Sequence, residues 1–246
     1  MKTVLSSLLL LLLPVVASAQ ETAAEIEALL RKTDDVARGD SSIATMEMHV
    51  KTASYERTMK MKAWAQGTDR TLVRILEPAK DAGIATLKVD ENLWNYLPKV
   101  DRTMKIPSGM MGGSWMGSHF TNDDLVQESR LSEDFTWTVD ARPSGGEGQW
   151  TIALVPKPEA PVVWGKVVVE IRADELPIRT TYYDEKGKVV RTMAFEDYAA
   201  MDGRTVPRVM RLTPADKPGE FTEMRYVELD FGADIPTSTF TLQALK

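Results

Sequence analysis

The chain has two histidines, His49 and His119, and no cysteine, which excludes thiol nucleophiles and thiolate metal sites. His119 precedes the acidic pair Asp123-Asp124, but the spacing fits no zinc pattern. The two aspartates suit the positive N-terminal end of a short helix instead. Ser108 and Ser114 lack the strand–turn–helix setting of a nucleophile elbow. No acid–base or nucleophilic constellation emerges, and the expectation is a protein that is not an enzyme and uses no metal or cofactor. The distinctive residues are apolar. From Met104 to Leu125 the chain reads MKIPSGMMGGSWMGSHFTNDDL, with Met104, Met110, Met111, Met116, Trp115 and Phe120 set among four glycines. Methionine offers soft, adaptable apolar surface, whereas a solvated loop would be rich in Ser, Asn, Asp and Lys. This composition predicts a lid or plug over an apolar cavity.

The elements around that stretch follow from periodicity. Residues Glu21 to Arg38 read as an amphipathic helix with Thr22 as N-cap, Glu25 at the capping-box position and Gly39 as terminator. From Ser42 the period changes to two. Met46, Met48 and Val50 alternate with charged residues, as do Met59, Met61 and Ala63 in Arg57–Trp64, which makes these half-buried antiparallel strands joined by a hairpin at Thr52–Tyr55. Further strands are expected at Arg70–Leu76, Ile84–Val89, Asn92–Leu97 and Arg102–Ile106. A helical turn, Asn122 to Gln127, capped by Thr121 or Asn122, follows the oily stretch. Strands resume at Phe135–Ala141, Trp150–Pro156, Val162–Arg172, Ile178–Tyr183, Val189–Tyr198, Thr205–Thr213 and Phe221–Phe231. Many strands with short turns point to an all-β sandwich or barrel. A wide sheet that curled without closing would present an apolar concave face, incompletely filled by its own side chains, which a helix and an oily loop could cover. Arg57 alternates with Met59 and Met61 and so shares their side, where it could bridge lid carbonyls or meet a headgroup at the rim.

Compartment is read from the first residues. Lys2, the apolar run Leu8–Leu13 and Ala17-Ser18-Ala19 form a secretory signal peptide, residues 1–19, with cleavage before Gln20. The run is short for a membrane span. Residues 20–246 then make one domain. Removing Lys2 takes the net charge of −6 to −7. That acidity argues against nucleic acid, which wants basic patches.

Three segments carry a family resemblance: LWNYLPKVDRTMKIPSGMMGGSWMGSHFTNDDL (Leu93–Leu125), TTYYDEKGKVVRTMAFEDYAAMDGRTVPRVMRL (Thr180–Leu212) and VELDFGADIPTSTFTLQAL (Val227–Leu245). The order of aromatic strand, basic strand, Gly/Met loop and Asp-Leu helix start resembles the outer-membrane lipoprotein-sorting protein family, the LolA-like superfamily of periplasmic carriers. Where that pattern often has Gly-Ser-Asp-Phe, this chain has Gly117-Ser118-His119-Phe120. The resemblance implies a mainly β fold, a half-open antiparallel β-barrel with an α lid, an N-terminal helix and the Met/Gly-rich plug. It also implies a monomeric periplasmic carrier of lipid or lipoprotein acyl chains, served by an inner-membrane exporter and an outer-membrane acceptor. The alternative is an envelope lipid-sensing or protein-binding module of the same fold. The expected cavity and lid residues are Met46, Met48, Arg57, Met59, Met61, Trp94, Tyr96, Met104, Met110, Met111, Trp115, Met116 and Phe120.

Overall fold

The computed structural model describes residues 15–126, 131–160 and 162–246. Lys2 and the apolar run Leu8–Leu13 of the expected leader lie outside the described residues, as do Gln127 and Pro161. The first helix, α1 (Val15–Asp35), is displaced towards the N-terminus from its expected span. It passes through Ala17-Ser18-Ala19 and through Thr22, which is therefore an interior position and not the N-cap. The alanines of this stretch are strong helix formers and nothing in it breaks a helix. At the other end, the N–H groups of Arg38 and Gly39 both bond the carbonyl of Asp35 at 3.1 Å, closing the helix a turn before Gly39. Among the described residues no helix is long and apolar enough to cross a membrane.

Thirteen strands follow: β1 (Ser41–Lys51), β2 (Glu56–Gln66), β3 (Arg70–Glu77), β4 (Ala85–Val89), β5 (Asn92–Leu97), β6 (Arg102–Lys105), β7 (Phe135–Ala141), β8 (Gln149–Pro156), β9 (Lys166–Arg172), β10 (Pro177–Tyr183), β11 (Val189–Met201), β12 (Arg204–Pro214) and β13 (Phe221–Phe231). They form one antiparallel sheet in the order β6-β5-β4-β3-β2-β1-β13-β12-β11-β10-β9-β8-β7. The strands therefore run outward from a central β1–β13 pair in two arms. The outer edges, β6 and β7, do not pair with each other, so the sheet stays open, and of the chain between them residues 106–126 and 131–134 are described. Each expected strand is present, with three trimmed, since Ile84 and Ile106 fall just outside β4 and β6 and β9 begins only at Lys166. Residues Val162–Gly165 are not part of β9, because Gly165 lies against the turn after β10, where a side chain would come within 2.5 Å of the Asp184 carbonyl oxygen.

Side-chain alternation sorts the two faces. On the concave face, register places Phe195, Met210, Met224, Met48 and Met59 side by side across five strands, from β11 through β12, β13 and β1 to β2. Met46 pairs with Met61 in the next row. Met46, Met48, Met59, Met61 and Met224 join Ala44, Val50, Ala63, Val73 and Ile75 in one core cluster, with Met210 packed against it. A second concave cluster lies on the other arm, where Ile26, Leu29 and Leu30 of α1 pack on Phe135, Ile152, Leu154, Val167, Val169 and Ile171. The convex face of β3–β5 is covered by the C-terminal segment, whose Ile235, Phe240 and Leu245 pack on Leu72, Ala85, Leu87 and Tyr96.

Candidate functional site

The bridging segment folds back on itself over the concave face. Residues Ser108–Met110 and Trp115–Gly117 each form a single tight helical turn. The Trp115 N–H bonds the Phe120 carbonyl at 2.8 Å and the Ser118 N–H bonds the Trp115 carbonyl at 2.9 Å. The Ser118 hydroxyl bonds that same carbonyl at 2.7 Å, and the Ser114 hydroxyl bonds the Ser118 carbonyl. Helix α2 (Asn122–Val126) follows. The Thr121 hydroxyl accepts the Asp124 N–H at 3.1 Å and the Asp124 carboxylate accepts the Thr121 N–H at 2.8 Å. That reciprocal pair is a capping box, and it settles the cap as Thr121.

Four side-chain attachments hold this loop to the sheet. Trp115 is 2% exposed, and its indole N–H donates to Thr86 Oγ1 at 3.1 Å, while the Thr86 hydroxyl donates to Asn95 Oδ1 at 2.7 Å. From the far end of the β1–β2 hairpin, Arg57 donates to the Met116 carbonyl and the Tyr55 hydroxyl to the Gly117 carbonyl. These two residues hold successive left-handed backbone positions, with φ of 50° at Met116 and 66° at Gly117. For Met116 that conformation costs about 1–2 kcal/mol, so the clamps help to hold a strained bend. His119 makes the last attachment. Its backbone N–H donates to Thr222 Oγ1 at 3.0 Å and its Nδ1 lies 2.9 Å from the same oxygen. We assign that hydroxyl proton to Nδ1, which leaves Nε2 to donate to Glu220 Oε2 at 3.0 Å. Glu220 also accepts the Ala53 N–H at 2.9 Å. The hydrogen bond from His119, followed by that from Ala53, holds the Glu220 carboxyl below its ordinary 4.5.

Between the methionine cluster and the α1 cluster lies a cavity of about 1110 Å³. Its wall takes Met46, Ala63 and Val73 from one arm of the sheet and Met193, Phe195 and Met210 from the other, with Met111, Trp115 and Phe120 from the loop above. Of the charged residues that line the cavity, Arg191 is the buried one. Arg191 is 8% exposed, and its Nη1 and Nη2 donate to Asp124 Oδ2 and Oδ1 at 2.8 and 2.5 Å. The guanidinium packs 4.5 Å from the ring centre of Trp164 and 4.6 Å from that of Tyr182. Burial pushes the Asp124 carboxyl up, but the Arg191 fork outweighs it and the group lies below its ordinary 3.8. Burial and the neighbouring Asp124 charge raise Asp123.

The expected site residues divide by position. Met46, Met111, Trp115 and Phe120 line the cavity. Met48, Met59 and Met61 are fully buried beneath the loop, and Met116 packs against them. Met104 pairs with Asn95 and shares its concave side. Arg57 bonds the lid backbone. Two expectations fall on the wrong side. Trp94 and Tyr96 pair with Leu87 and Ala85 and lie under the C-terminal segment on the convex face. Strand alternation yields two faces, and in β5 the aromatic one is covered from outside. Met110 is 60% exposed and is not among the residues that line the cavity. Sequence reasoning missed Arg191, Trp164 and Tyr182. The signal was available in β11, where Arg191 alternates with Met193 and Phe195 as Arg57 does with Met59 and Met61.

A family model described as "Uncharacterized protein"-like matches residues 67–246. The chain matches no curated protein. Among solved structures, it is similar to a domain described as an outer membrane lipoprotein-sorting protein domain, from Vibrio parahaemolyticus. The two are 26% identical over 91% of this chain and 99% of that one, with a TM-score of 0.74. A DUF1329 family protein from Desulfovibrio piger is 21% identical over 91% and 99%, with a TM-score of 0.79. A LolA superfamily protein from Nitrosomonas europaea is 20% identical over 89% and 98%, with a TM-score of 0.71. Open sheet, bridging lid segment and these matches agree on one fold, and the chain belongs to the family whose model matches residues 67–246.

Proposed function

We infer that residues 20–246 form a monomeric periplasmic carrier that takes up the acyl chains of a lipid or lipoprotein from an inner-membrane transporter and delivers them towards the outer membrane. The observation that carries this reading is the cavity of about 1110 Å³ under a segment rich in methionine and glycine. It stands just above the range of roughly 300–1,000 Å³ usual for ligand pockets. Transfer of acyl chains needs no covalent step. Burial is worth about 0.8 kcal/mol per CH₂, so a chain of about sixteen carbons gains roughly 10 kcal/mol before ordering and lid-opening costs. Met111, Trp115 and Phe120 are the residues a ligand would displace or pack against. Arg57 and Tyr55 would hold the closed state through the backbone of Met116 and Gly117, which leaves those side chains free to adapt. Delivery then requires only that the acceptor bind the cargo more tightly than the carrier does.

The test is native mass spectrometry of the mature protein purified from its own periplasm without detergent, followed by transfer of labelled lipid between donor and acceptor vesicles. Bound acyl lipid that moves to acceptor vesicles is the expected result. A ligand-free mass, with no binding of added phospholipid or lipopeptide, would overturn the carrier reading.

A further inference from the structure

Charged residues of α1 (Arg31, Asp34, Asp35) and of the turn after it (Arg38), with Glu133 and the α2 aspartates, line the cavity, but the charged lining residue that is buried is Arg191, and its partner sits on the covering segment. Arg191 belongs to β11, inside the sheet. Asp124, which holds both of its Nη groups, belongs to α2, in the stretch that bridges the sheet edges. The rings of Trp164 and Tyr182 support the guanidinium from the sheet side, and its buried Nε has no hydrogen-bond partner. Arg191 would therefore keep its position if α2 moved, and would lose the carboxylate that neutralises it. Asp123 also lines the cavity and rides on the same helix, so opening removes two acidic groups from a cavity that keeps Arg191, with Arg31 and Arg38 also in its lining. Asp34 of α1, which accepts the Leu131 N–H at 2.9 Å, stays in the lining with Asp35 and Glu133.

A buried guanidinium stripped of its partner is costly, and its planar fork matches a carboxylate or a phosphate in two parallel hydrogen bonds. Next to it, Met193 and Phe195 continue the same face of β11 along the cavity wall. Cation and apolar wall are thus in series on one strand, in the order headgroup then chain. We propose that the ligand is an anionic amphiphile, and that Arg191 receives its carboxylate or phosphate in place of Asp124 when the lid segment opens. The proposal rests on the carrier reading above and adds the charge of the cargo to it. It also supplies a coupling: the closed empty state and the loaded state compete for one guanidinium, so loading disfavours return of α2 to its empty-state contact.

The test compares three ligands with the same palmitoyl chain, by calorimetric titration into the delipidated mature protein. Palmitate carries a carboxylate, palmitoyl lysophosphatidate a phosphate, and monopalmitoylglycerol no charge. The expected result is that at least one anion binds about tenfold or more tightly than the neutral ligand, the scale of a charge-assisted bond, and the tighter anion identifies the headgroup. Arg191→Met should narrow that preference by about tenfold. Asp124→Asn should widen it severalfold, because it removes the competitor while keeping the shape. Equal binding of all three ligands by the unaltered protein overturns the proposal and leaves the carrier reading standing, whereas binding of none overturns the carrier reading itself. If Arg191→Met does not fold, Asp124→Asn decides alone: an unchanged preference would mean that Arg191 is only a latch for α2.

Discussion

At the scale of single residues, the lid is held by polar bonds in an apolar setting, and each has a different consequence. Thr86 is buried, accepts the Trp115 indole N–H and donates to Asn95. Thr86→Val keeps the shape and leaves both groups without that partner, which should cost about 1–3 kcal/mol. Chemical denaturation would read that cost, and an unchanged midpoint would mean that water replaces the hydroxyl. Arg57 acts differently, because it is partly exposed, with 28% of its side chain open to solvent, and grips a carbonyl on a strained bend. Arg57→Leu should barely move the melting temperature but raise amide hydrogen exchange across Trp115–Phe120, since local opening is separable from global unfolding. Unchanged exchange there would show that the loop's internal bonds suffice. This Arg was legible in the sequence because it alternates with methionines. Arg191 obeys the same rule in β11 and was missed, because its neighbours Thr192 and Ala194 interrupt a pattern that is less uniformly apolar than that of β2.

At the scale of elements, the covering segment touches β2, β4, β11 and β13 through separate bonds, so its attachment is spread over both arms of the sheet. One attachment is titratable by acid. The Glu220 carboxyl lies below its ordinary 4.5 because His119 and the Ala53 N–H bond its ionised form. A carboxyl depressed in the folded state contributes stability that is complete above its unfolded pKa and is lost as pH falls through the folded value. Acidification below about pH 4.5 should therefore loosen the loop near His119. Trp115 fluorescence or limited proteolysis within residues 108–120 would report it. In Glu220→Gln the acid-induced change at this end should largely vanish, and an identical profile would place the acid sensitivity elsewhere, with Asp124 the next group to examine. The sequence announced an oily Gly/Met segment followed by a short acidic helix start, and the structure places the segment beside the cavity and the helix at Asn122–Val126. It did not announce that the segment would be pinned by Tyr55, His119 and Glu220, because such bonds join residues far apart in the chain and have no local periodicity to reveal them.

At the scale of the whole molecule, the strand order explains why a cavity survives. Two arms extend from the central β1–β13 pair and their edge strands β6 and β7 do not pair, so among the described residues closure is left to the loop and not to hydrogen-bonded strands. Most of the strands could be read from alternation, but the choice of face could not where both faces are covered, as the reversal of Trp94 and Tyr96 shows. What covers the convex face is the C-terminal segment, whose Ile235, Phe240 and Leu245 are buried on β3–β5. A bond from Arg74 to the Ala244 carbonyl at 2.6 Å fixes its end. Burying each of these side chains is worth about 1.5–3 kcal/mol, so together they approach the total stability of a typical domain, about 5–15 kcal/mol. Among the described residues no α-helix packs on the convex side of the arm carrying β4–β6, so this segment is its outer layer. Removing residues 234–246 should therefore unfold that arm first, expose Trp64 and Trp94, and lower the melting temperature sharply with aggregation on heating. Phe240→Ala, which leaves the backbone path intact, should lose about 3–5 kcal/mol while the cavity on the other face keeps its ligand affinity once the protein is folded. If the truncated chain melted like the full one, the curvature that shapes the cavity would have to be intrinsic to the strands, and the C-terminal segment would be a passive cover.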